Sequence, residues 1–152
     1  NKLHWDWATN PNQREKASFL KENLSPIQKS WRLQFLEPKS TGFNYYDELG
    51  FEVLFVDGHT EKQMIPKFKY KNKDIVYVAD LIPTVGHIPL PYLMGYDVRP
   101  LVTMQEKSLF LESALKNSWY LFMEHDPYNE VVCLKKTEKG IRFNKSLKLS
   151  EL

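Results

Sequence analysis

The chain reads as an α/β protein, and three observations predict it. Apolar runs of strand length recur at Phe51–Val56 (FEVLFV), Ile75–Val78 (IVYV) and Trp119–Met123 (WYLFM), and each stops abruptly at a polar turn. Between the last two, Thr103-Met104-Gln105-Glu106 has the form of a capping box. It opens a helix in which Leu109, Phe110, Leu111, Ala114 and Leu115 are expected to form one buried face. Finally, the three runs end at or just before His59, Asp80 and His125, and strand ends in α/β layers are where such folds gather ligands.

The remaining elements follow from local chemistry. Asn10 before Pro11 predicts a helix start, continuing through Ala17, Phe19, Leu20 and Leu24 and ending near Ser25-Pro26. Leu33–Leu36 is a short strand candidate, and Lys39–Gly50 reads as a loop. Met64–Tyr70 alternates apolar and basic residues, so one face should be wet, and the basic run Lys67–Lys73 reads as that solvated face. Ile75–Val78 is apolar throughout, as a strand buried on both sides would be. Pro83–Pro100 also contains Pro89 and Pro91, too many prolines for a helix or central strand, and predicts a shaped loop. Glu130–Lys136 and Ile141–Phe143, separated by Glu138-Lys139-Gly140, predict a closing hairpin.

Composition bounds the function. A chain of 152 residues accommodates one domain, and 42% hydrophobic with 26% charged residues describes a globular chain rather than a disordered one. The 14% aromatic content supplies rings for a core or a pocket. A formal charge of only +2, with acids and bases interspersed, argues against a nucleic-acid partner held by electrostatics. No apolar run reaches the roughly 18 residues of a membrane span. With no signal segment visible, a cytoplasmic location and a small-molecule substrate are the expectations. Cys133 is the only cysteine; lying in Val131-Val132-Cys133-Leu134, it reads as a core thiol.

His59, Asp80 and His125 combine neutral imidazoles with a carboxylate, a donor set suited to Zn²⁺. Each also has a plainer reading. His59 follows a glycine in a turn, Asp80 could cap one, and His125 lies between Glu124 and Asp126 as a surface histidine would. Asp57 suits either a bond to a ligating imidazole or turn chemistry, and His4 reads as structural or exposed.

The segments VLFVDGHTEKQM, IVYVADLIP and YLFMEHD, in that order, resemble the last three metal-binding motifs of the metallo-β-lactamase superfamily. The nearest branch is that of lactonase-like and organophosphate-hydrolase-like enzymes, and the resemblance runs from about Trp5 to Phe143. It implies the C-terminal half of an αββα sandwich, with a mixed sheet and flanking helices. His59 would then bind a first metal beside two upstream histidines, Asp80 would bridge two zinc ions as the catalytic carboxylate, and His125 would bind the second. The implied reaction is attack of metal-activated water on an ester, lactone or phosphoester. The family's His-x-His-x-Asp-His segment is absent from residues 1–152. The chain is therefore expected to be a single-domain fragment with a partial site, prone to self-association or to packing with a companion half. The Pro83–Pro100 loop would wall the substrate site, with His87, Tyr92 and Tyr96 as contacts. Some lactonases carry a tyrosine shortly after the bridging aspartate, but Asp80 is followed by Leu81, Ile82 and Pro83. Two rival readings remain: a non-catalytic half-domain that binds a partner, and a nuclease of the same superfamily, against which the absence of a basic cluster speaks.

Overall fold

The computed structural model describes residues 1–152. A seven-stranded sheet follows chain order: β1 (Asn44–Tyr46), β2 (Phe51–Val56), β3 (Gln63–Tyr70), β4 (Lys73–Tyr77), β5 (Tyr120–Phe122), β6 (Val131–Thr137) and β7 (Gly140–Leu147). Neighbours are antiparallel except β4 and β5, which are parallel. A parallel pair requires a long crossover, here the proline loop followed by α3 (Pro100–Lys116). Because β2, β4 and β5 run in the same direction, their C-terminal ends lie on one edge of the sheet. That topology positions the site.

Turn chemistry sets the registers. Lys71 and Asn72 both take positive φ between the paired residues Tyr70 and Lys73, the two-residue hairpin turn that matches strand twist. Gly140, at φ +94°, closes the β6–β7 turn opposite Thr137. On one face Leu54, Val56, Ile65, Val76, Leu121 and Val132 pack with Phe110, Leu111 and Ala114 of α3 into a single core. Each fully buried aliphatic side chain there contributes roughly 1.5–3 kcal/mol.

Strand alternation places Val53, Pro66, Phe68, Ile75, Tyr120, Phe122 and Val131 on the opposite face. Residues near the N-terminus lie over its β1–β3 side: the Asn1 ammonium meets Met64 Sδ at 3.7 Å, and the Tyr46 hydroxyl donates to the Glu37 carbonyl at 2.6 Å. Phe68, Tyr120 and Phe122 remain only half-buried.

Several sequence expectations are corrected. The helix expected from Asn10 to Pro26 is instead two, α1 (Lys2–Thr9) and α2 (Lys21–Lys29), with Asn10 closing the first. Asn1 caps α1 by accepting from the Leu3 and His4 amides. Asn12 then takes the Arg14 and Glu15 amides at 2.9 and 3.1 Å, turning the chain where helix was expected. α2 keeps Pro26 inside it and buries no residue, and Leu20 is exposed. Leu33–Leu36 pairs with no strand; the Asn1 side chain holds the Leu36 carbonyl instead. The Lys39–Gly50 segment contains β1.

α3 starts three residues before the expected capping box, with Pro100 in its first turn, where a missing N–H costs nothing. Thr103 and Glu106 therefore lie inside the helix, and Leu109 faces outward at 69% exposure. Lys67 is not solvated: it pairs with Glu52 at 2.7 Å and lies over the rings of Phe43 and Trp119. Cys133 is half-buried in β6, and burial raises its thiol pKa.

Candidate metal centre

The turn after β2 carries His59, and α3 holds that turn from behind. Glu106 accepts from the Asp57 and Gly58 amides at 2.7 and 3.0 Å, while the Arg99 amide donates to the Gly58 carbonyl at 2.8 Å. Burial pushes the Glu106 carboxyl above its usual range, although both amide bonds and Lys62 oppose this. Asp57 bonds the Lys62 amide and ammonium within its own turn, so it is a turn residue and not the partner of an imidazole. That partner is Asp97, whose Oδ1 lies 2.9 Å from His59 Nδ1.

Asp80 follows β4 in a single 3₁₀ turn, and Ala79 before it takes φ +43°. A non-glycine residue in the left-handed region costs on the order of 1 kcal/mol, strain that tends to collect at functional sites. His125 follows β5, its amide donating to the Pro83 carbonyl at 3.3 Å. The next residue, Asp126, binds the proline loop at the Val85 amide (2.9 Å) and also takes the Tyr128 and Asn129 amides and the Asn129 side chain. Burial alone would raise the Asp126 pKa; these bonds outweigh it and hold the carboxyl below its usual range.

His59, Asp80 and His125 converge. His59 Nε2 lies 3.4 Å from Asp80 Oδ2, and His125 Nε2 lies 3.0 Å from Asp80 Oδ1. Each imidazole thus faces a different oxygen of one carboxylate. Glu124, which carries no ligand motif of its own in the sequence, joins them: donor atoms of Asp80, Glu124 and His125 all lie within 4.8 Å of one another.

The donors fit a divalent cation. With Nδ1–H given to Asp97, a neutral His59 aims its Nε2 lone pair at a carboxylate oxygen, which is repulsive unless a proton or a metal intervenes. Two buried acceptors nearby, Gln63 Oε1 and Asp97 Oδ2, have no donor, while Gln63 Nε2 donates to Asp80 at 3.3 Å. Surplus acceptors around a carboxylate and imidazoles are what a cation site presents.

A cleft of about 540 Å³ opens on this centre, lined among others by His59, Asp80, Tyr77, Glu124, Met94 and Tyr96. Burial, reinforced by the neighbouring carboxylates of Glu124 and Asp80, pushes the Tyr77 phenol up to about 12, so it stays protonated. Of the expected substrate contacts, Tyr96 lines the cleft, whereas His87 and Tyr92 do not. His87 Nδ1 pairs with Thr84 Oγ1 at 2.9 Å. Burial, with the Lys107 charge, lowers its pKa against the pull of Asp97. His4 lines the cleft, its Nδ1 2.5 Å from the Glu61 carbonyl oxygen. Glu15, also on the wall, is buried and accepts from Thr60, Trp7 and Asn12 at 2.6 Å each.

The carboxylate on His59 makes a pH prediction. Burial is the largest single influence on His59 and favours the neutral ring. The Asp97 bond, with the charges of Asp80, Asp97 and Glu15, outweighs it, leaving the pKa above its ordinary 6.5. A raised histidine contributes stability that is complete below the unfolded-state pKa and is lost as pH rises through the folded-state one. In metal-free protein, Asp97→Asn should move the His59 midpoint downward and shift that loss to lower pH. Histidine NMR titration beside chemical denaturation at each pH reads both. An unmoved midpoint would remove Asp97 from its role.

No family model matches the chain, and no curated protein sequence does. Solved structures do. A probable metal-dependent hydrolase from Staphylococcus aureus is 20% identical, with a TM-score of 0.74 over 95% of this chain and 50% of its own. AidC, a dizinc quorum-quenching lactonase solved with a product, is 20% identical, with a TM-score of 0.70 over 98% of this chain and 54% of its own. The β-lactamase-superfamily hydrolase AbOPH is 18% identical, with a TM-score of 0.70 over 93% and 50%. The chain spans about half the length of each. It therefore shares the fold of about half of each of these three structures.

Proposed function

We propose that this chain is the half of a zinc-dependent hydrolase in which His59, Asp80 and His125 would hold the metal, with Glu124 beside them. The observation that carries the reading is the placement of two imidazoles against the two oxygens of one carboxylate. When bound there, zinc would supply Lewis-acid activation of water toward an ester, lactone or phosphoester. The chain's own residues do the rest. Asp97 fixes the His59 ring and leaves Nε2 facing Asp80. Tyr77, a protonated phenol on the cleft wall beside Glu124, presents a hydroxyl donor to the cleft. Tyr96 and Met94 form the apolar side that would bear on the substrate.

A companion half-domain would complete the ligand set and cover the second sheet face. Partly buried Phe68, Tyr120 and Phe122 lie on that face beside fully buried Ile75 and Val131. An apolar surface of this kind also supports the second reading, a half-domain that only binds a partner.

One experiment addresses both readings. The isolated chain, and the chain joined to a half-domain carrying the upstream histidines, are compared by light scattering and by hydrolysis of p-nitrophenyl butyrate, a γ-lactone and a phosphodiester. The isolated chain should self-associate and hydrolyse nothing, and the completed protein should show chelator-sensitive turnover. Zinc-loaded completed protein inert on all three classes would leave the partner-binding reading standing.

A further inference from the structure

α3 bears two consecutive charged residues, and both spend their charge on main-chain groups. Glu106 accepts amides of the His59 turn. Lys107 does the converse. It is 1% exposed, and its Nζ donates to the carbonyls of His87, Pro89 and Tyr92 at 3.0, 3.3 and 2.6 Å. An ammonium has three donors, and here three carbonyls take them. Lysine is among the residues least often buried, and no carboxylate pairs with this one. Methionine would fill the same volume without the cost of desolvating a charge.

The loop explains why an ammonium is there. Between Pro83 and Pro100 the chain has no strand partner, so its inward carbonyls lack ladder donors. Lys107 gathers three of them at one point, while Ile88 beside them is fully buried. Beyond Tyr92 the same loop carries Met94 and Tyr96 onto the cleft wall and Asp97 onto His59. Val98 then donates its amide to the His59 carbonyl at 3.1 Å.

We infer that Lys107 is a positioning residue for the metal centre: by clamping the His87, Pro89 and Tyr92 carbonyls it fixes the loop that sets Asp97 against His59. The inference rests on the reading of His59 as a site residue. Two titratable groups face Lys107 across the loop, His87 and Asp97. Burial lowers its pKa to about 8 against the pull of Asp97, so at neutral pH all three donors are in place.

The test reads loop and ring directly, without catalysis, so it fails or succeeds independently of the hydrolase assignment. Lys107→Met and Lys107→Gln are made in the full chain, and amide exchange is followed with ¹⁵N-histidine NMR. Lys107→Met should speed exchange of residues 92–97 by at least about tenfold, the equivalent of one net hydrogen bond. It should also lose the His59 Nδ1–H signature while the β6–β7 hairpin keeps its protection. Lys107→Gln, which retains two donors, should recover part of both. A His59 signature unchanged in Lys107→Met overturns the inference, whether or not the loop loosens. Should the variants fail to fold, the wild-type ammonium decides: a slowly exchanging Lys107 resonance supports the clamp, and a freely exchanging one overturns it.

Discussion

Replacing Asp80 by Ala is expected to strip the completed protein of bound zinc and of turnover together. Losing an outer-sphere partner of a metal ligand typically costs 10–100-fold in affinity or activity, so loss of a residue that faces both imidazoles should exceed about a hundredfold. No neighbour can replace it. Glu124 is the next carboxylate, but it lies 3.9 Å from His125 Nε2, against 3.0 Å for Asp80. Gln63 would lose its acceptor, since its Nε2 donates to Asp80. The metal-free variant should still fold, because Asp80 is partly exposed and lies outside the core cluster. Elemental analysis with circular dichroism separates the two effects. A folded Asp80→Ala protein with undiminished zinc would end the bridging role.

Gly58→Ala should be the most damaging single-methyl change, and for a steric reason. A Cβ on Gly58 would overlap the Thr103 backbone nitrogen, its Cα and its hydroxyl. Two of those atoms belong to the main chain of α3, which cannot swing aside as a flexible side chain would. Either α3 retreats from the sheet or the Asp57–His59 turn lifts off the Glu106 carboxylate. Overpacking of this kind costs about 1–3 kcal/mol, and a fall in melting temperature of roughly 5–10 °C is expected for a chain of this length. Because the turn carries His59, zinc affinity should fall in the same variant. By contrast, Gly42 and Gly95 have open space around the same position, and Gly95→Ala serves as a neutral control. A melting temperature within a degree of wild type would show that α3 does not brace the turn.

The sequence by itself determined the strands that build the site. FEVLFV, IVYV and WYLFM are apolar beyond what a loop or a wet helix tolerates, and their ends at His59, Asp80 and His125 follow from local turn chemistry. Ordered motifs at those ends were sufficient to suggest the fold that the solved structures share. The helices near the N-terminus were not legible. Asn10-Pro11 carries a sound start signal, yet Asn1 caps an earlier helix at the Leu3 and His4 amides and Asn12 takes the Arg14 and Glu15 amides. Glu15 is then pulled toward Trp7 and Thr60, the latter 45 residues away in sequence. The Thr103–Glu106 capping pattern misled for a related reason. Glu106 had an N-terminal amide to find, but the amides belong to the Asp57–Gly58 turn across the fold.

Only the tertiary structure decided which side chains serve the centre from a distance. Asp97, Gln63 and Lys107 carry no local motif and Glu106 carries a misleading one, because their partners lie 38, 17, up to 20 and 49 residues away. Periodicity records which face of an element meets the core. It does not record which buried polar atom will find its partner across a crossover, since that depends on where the parallel β4–β5 pair sets the loop and α3. The apolar strands carry their own placement in their composition, whereas each polar bond that orders the site exists only once the sheet has closed.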